Sequence, residues 1–95
     1  MSTLLVTYDL DRPGQDYTDV LGVIKKFPWA RLSESSYAVY TELTAQQLYD
    51  RLSPFIDSND TLYVITLNEP SAGHGPREVN DWLNKFLTQC QVPAY

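Results

Sequence analysis

The feature that most constrains this chain is the order in which its hydrophobic periods change. Residues 3–9 read TLLVTYD, and the nearly continuous run Leu4-Leu5-Val6 fits a central strand covered on at least one face. A Pro13-Gly14 turn follows at once. Then Tyr17, Val20, Leu21, Ile24 and Phe27 recur at three- and four-residue intervals, the period of a helix with one buried face. Asp16 is placed to cap that helix, Asp19 to favour its dipole, and Pro28 to stop it.

The pattern repeats with a variation. WARLSESSYAVYTEL is rich in β-branched and aromatic residues and is broken by Ser33-Glu34-Ser35, which predicts two strands joined by a short turn. Thr44 is a natural cap for a second helix carrying Ala45, Leu48, Tyr49 and Leu52 on one side, limited by Pro54. TLYVITL, residues 61–67, predicts another strand. After the turn-rich NEPSAGHG, Pro76 opens a last helix with Val79, Trp82, Leu83, Phe86 and Leu87 as its stripe. Residues 88–95 are expected to form a loose or partner-contacting tail.

Right-handed crossovers turn the order βαββαβ into a four-stranded antiparallel sheet with two helices on one face. This is the ferredoxin-like α+β architecture, here with an added C-terminal helix, in a single domain over residues 1–95. One sheet face is left bare unless the last helix or a second subunit covers it, so a homodimer is expected.

Charge and cysteine usage narrow the function classes. Twelve acidic against seven basic residues give a net charge of −5, which disfavours the broad basic surface that nucleic-acid binding requires. Lys25-Lys26 is the one adjacent basic pair. The lone Cys90 offers neither an internal disulfide nor a zinc set. No apolar run reaches membrane-spanning length and no secretory leader pattern is present, so no membrane partner and a cytoplasmic location are expected.

The stretches LLVTYDL, SSYAVYTE and DTLYVITL resemble the small dimeric subunit of CRISPR adaptation, a family of metal-dependent endoribonucleases, and its relative, the virulence-associated protein D toxins. The resemblance covers residues 3–67, with the YD pair at the end of the first strand as its most specific element. It implies a ferredoxin-like dimer in which the first-strand aspartates of two subunits meet and hold a divalent metal, Mg2+ or Mn2+. Carried over, Asp9 is the catalytic and metal residue, and Ser36 and Tyr37 match the serine-aromatic strand, with Tyr40 close behind. The chain departs from that family in the acidic loop DRPGQDY and in its second strand.

The residues themselves leave two readings open at each position. Asp9 is either a magnesium ligand shared across a dimer or a strand-end acid bonded to the following turn. Asp11 and Asp16 either complete a coordination shell or serve as a solvated loop acid and a helix cap. Arg12 either contacts a phosphate or is simply exposed. His74, between Gly73 and Gly75, is either a mobile acid-base group or a solvated loop residue. The aromatics Tyr8, Trp29, Tyr37, Tyr40 and Tyr63 are either a base-stacking platform or a dimer interface. Two functions are therefore expected: a metal-dependent phosphodiesterase acting on RNA or DNA, or a non-catalytic interaction or regulatory dimer.

Overall fold

A computed structural model describes residues 1–10 and 18–88. The elements are β1 (Ser2–Asp9), α1 (Thr18–Ile24), β2 (Trp29–Ser33), β3 (Ser36–Thr41), α2 (Ala45–Leu52), a 3-10 turn (Ser53–Phe55), β4 (Thr61–Leu67) and α3 (Arg77–Thr88). The four strands form one antiparallel sheet in the order β2-β3-β1-β4. The first and last of the described strands are thus neighbours, and β1 lies inside the sheet.

Alternation along β1 sets the two faces. Leu4, Val6 and Tyr8 are buried on one side, opposite Val39 and Tyr37 of β3 and beside Leu62 and Val64 of β4. Val20 and Ile24 of α1 and Leu48 and Leu52 of α2 close over them, and together they form the main core. Burial of this stripe, rather than helix propensity, sustains helices of seven and eight residues, since such short helices are marginal alone.

Local chemistry fixes the element ends. Thr44 caps α2 with its hydroxyl, accepting from the Gln47 amide at 3.1 Å. The Gln47 side chain accepts from the Thr44 amide at 2.9 Å, so two orphan helix donors are satisfied reciprocally. Pro54 lacks the amide that a continuing helix needs, and the chain tightens into the 3-10 turn there. α1 ends at Ile24, three residues earlier than its apolar period predicts. Lys26 and Phe27 donate instead to the carbonyls three residues back, Val23 and Ile24, which tightens the chain ahead of Pro28.

The opposite face carries Thr3, Leu5, Thr7 and Asp9 of β1, and α3 covers only part of it. Thr3, fully buried, donates its hydroxyl to the Phe86 carbonyl at 3.2 Å. Tyr40 packs on Phe86, ring centroids 4.7 Å apart, and Trp82 on Phe86 at 4.4 Å. Ala30 and Ala38, paired across β2 and β3, are buried on this same side. The β4 end of the face stays open, with Tyr63 at 61% and Ile65 at 48% exposure. No described helix is long and apolar enough to cross a membrane.

Candidate functional site: the uncovered sheet face and the β4 margin

Asp9 is the last residue of β1, exposed, and paired with Thr61 of β4. By alternation it lies on the face away from α1 and α2. Two residues back on that face, the Thr7 and Ser36 hydroxyls share a hydrogen bond of 2.9 Å. The structure therefore places Asp9 and Ser36 on one surface. No hydrogen bond or ion pair joins the Asp9 carboxylate to another described side chain.

Tyr37 is placed differently. It is 4% exposed and belongs to the core on the α1/α2 face, because consecutive strand residues point to opposite sides. Its ring lies 5.8 Å from that of Trp29. Tyr8 is likewise buried, and Tyr40 is taken up by Phe86. The five aromatics consequently form no single platform; Tyr63 alone stands mostly free on the uncovered face.

His74 is exposed on the loop of residues 68–76. Near it, Ser71, Ala72 and Gly73 face Asn80, Leu83 and Asn84 of α3 across a cleft of ≈ 210 Å³. No hydrogen bond or ion pair ties His74 to Asp9. Of the expected tail 88–95, Thr88 ends α3, and residues 89–95, like Asp11, Arg12 and Asp16, lie outside the described residues.

Among the described residues no group of three or more His, Cys, Asp or Glu side chains is gathered where a metal ion would sit. Magnesium is usually held by one or two carboxylates with waters and substrate phosphates. Asp9 supplies one carboxylate per chain, the lower end of that range, and a second chain would bring another.

Two features escaped the sequence reading. Lys25 extends over the Trp29 ring, 4.9 Å from its centroid, so an exposed indole and the basic pair Lys25-Lys26 share one corner of the molecule. A four-residue spacing that leaves a helix and enters a strand carries no periodic signal of this contact. Along the β4 margin, Ala45, Gln46 and Tyr49 of α2 face Leu62, Tyr63 and Val64 across a groove of ≈ 390 Å³. A neighbouring cleft of ≈ 320 Å³ continues past Tyr49 and Leu62 to Ser53, Asp57 and Asp60. The uncharged composition of TLYVITL was the readable sign of this surface.

No family model, curated protein or solved structure matches the chain.

Proposed function

We propose that the chain is a self-associating interaction module: a cytoplasmic, non-catalytic homodimer on a ferredoxin-like βαββαβ scaffold with an added C-terminal helix. The supporting observation is the exposure of Tyr63 and Ile65 in a seven-residue strand without a single charge, on a chain of net charge −5. Contiguous apolar surface of this kind marks interaction sites in soluble proteins. Acidic chains repel one another over most of their surface, and an uncharged strip is where two copies can approach. Light scattering at micromolar concentration is expected to give the mass of two chains. A one-chain mass sinks the proposal.

A second reading is favoured by Asp9. Its carboxylate is exposed at a strand end, beside hydroxyl groups, on the uncovered face. In this reading Asp9 from each of two copies holds Mg2+ or Mn2+, which when bound would polarise a phosphodiester of RNA or DNA. Ser36 would orient the substrate, with Asp11, Arg12 and His74 as auxiliary groups. Asp9→Asn is expected to lower metal-dependent cleavage at least ~100-fold while leaving the unfolding midpoint in place, because the side chain is outside the core. Cleavage that persists in the variant assigns the activity elsewhere.

A further inference from the structure

The two edges of the sheet are built differently. β2, one edge, has five residues, an exposed Arg31 in its middle and a register irregularity between Arg31 and Ser33. A short strand, a central charge and a bulge are the devices by which proteins blunt an edge against pairing. β4, the other edge among the described residues, has none of them. It is seven residues long, regular in its pairing with β1, free of proline and charge, and exposes Tyr63 and Ile65.

We infer that β4 pairs with the β4 of a second copy, antiparallel about a two-fold axis at Val64, joining the two sheets into one of eight strands. The inference rests on the self-association proposed above and names its interface. The sequence of the strand is self-complementary in this register. Val64 meets its own copy, and Tyr63 meets Ile65 of the other chain twice, an aromatic–β-branched pairing of the kind that stabilises neighbouring strands. Leu62 meets Thr66 and Thr61 meets Leu67. Just outside the strand Asp60 stands opposite Asn68, so no like charges oppose each other. A two-fold contact requires one patch to fit itself, and this strand does. On the helix side the groove bounded by Gln46 and Tyr49 would receive Val64 and Thr66 of the incoming copy.

The register has a consequence for Asp9. Each Asp9 lies one strand inward at the level of Thr61, and Thr61 marks opposite ends of the joined strands. Three strand spacings sideways and six residues lengthwise separate the two carboxylates by about 25 Å. In this dimer they do not share a metal ion.

Cysteine cross-linking separates the alternatives, in a full-length Cys90→Ser background where the introduced thiol is the only one. Val64→Cys places two thiols on residues directly opposite, within disulfide reach, and is expected to give a disulfide-linked dimer under oxidised glutathione. Asp9→Cys is expected to give none. Ile65→Lys, at an exposed position, is expected to weaken dimerisation at least ~10-fold without changing the circular dichroism spectrum. A two-chain mass without the Val64→Cys cross-link overturns the edge register and leaves self-association standing. Cross-linking through Asp9→Cys instead overturns it in favour of the paired-carboxylate dimer. A one-chain mass for the parent protein overturns both the register and the self-association beneath it.

Discussion

Leu4→Ala is expected to destabilise the protein by about 2–5 kcal/mol, the range for a large aliphatic side chain removed from a closed core. Leu4 is wholly buried in the middle of β1, with Val39 on one side and Thr66 on the other. It belongs to the cluster that Val20, Ile24, Leu48 and Leu52 close from above. A cavity here has walls on two strands and two helices and cannot collapse without moving one of them. Domains of this size hold roughly 5–15 kcal/mol in total, so the loss is a large fraction of the whole. Urea unfolding should show a lower midpoint at an unchanged slope. Leu5 supplies the control, because it is the next residue and is only half-buried on the other face. Leu5→Ala is expected to cost under about 1.5 kcal/mol, in proportion to the smaller apolar area it keeps from water. Equal costs at the two positions would mean that the uncovered face is not open in solution, and that a partner closes it.

The strands and helices were readable because their periods are unambiguous. Thr61–Leu67 and Ser36–Thr41 appear where the β-branched and aromatic runs place them, and α2 starts after Thr44 because hydroxyl and glutamine stand three residues apart. The antiparallel sheet follows from the same order. What a linear pattern does not carry is which face each aromatic takes once registers are set. Tyr37 and Ser36 are adjacent in sequence, yet one enters the core and the other the open face. A motif that names both as site residues necessarily divides between two surfaces. The contact of Lys25 with Trp29 is of the same kind, set by the angle between α1 and β2 rather than by spacing. Asp9 was legible as a strand-end acid, and its exposure comes from the structure. Whether a second carboxylate joins it is a property of two chains, and one sequence does not contain it.

The two sides of the sheet also differ in how firmly they are closed. α1 and α2 are woven between strands, so neither can leave without tearing the chain's path through the sheet. Among the described residues, no strand follows α3 to hold it in the same way. It follows the last strand through residues 68–76, a stretch with two glycines and two prolines, and rests on the sheet by one short stripe. Local openings draw on elements held in this way.

Phe86→Ala is therefore expected to release α3 selectively. Phe86 is the middle ring of a three-ring stack, between Tyr40 of β3 and Trp82 one turn earlier, with the Lys85 ammonium 5.3 Å from its centroid. Each ring contact depends on this one side chain, while its carbonyl, which takes the Thr3 hydroxyl, is untouched by the change. Phe86 is half-buried, so the cost should be roughly 2–3 kcal/mol, below the ~3–5 kcal/mol of a fully enclosed phenylalanine. If α3 opens as a unit, that energy appears as amide exchange in Arg77–Thr88 accelerated roughly 30- to 150-fold, with β1 and β3 still protected. Acceleration spread evenly through β1 would show instead that α3 and the sheet melt together. Selective release also uncovers Thr3, Ala30 and Ala38, widening the apolar face beyond Tyr63 and Ile65. The variant should then associate more strongly than the parent at equal concentration, because the helix that limits the sticky surface has been loosened.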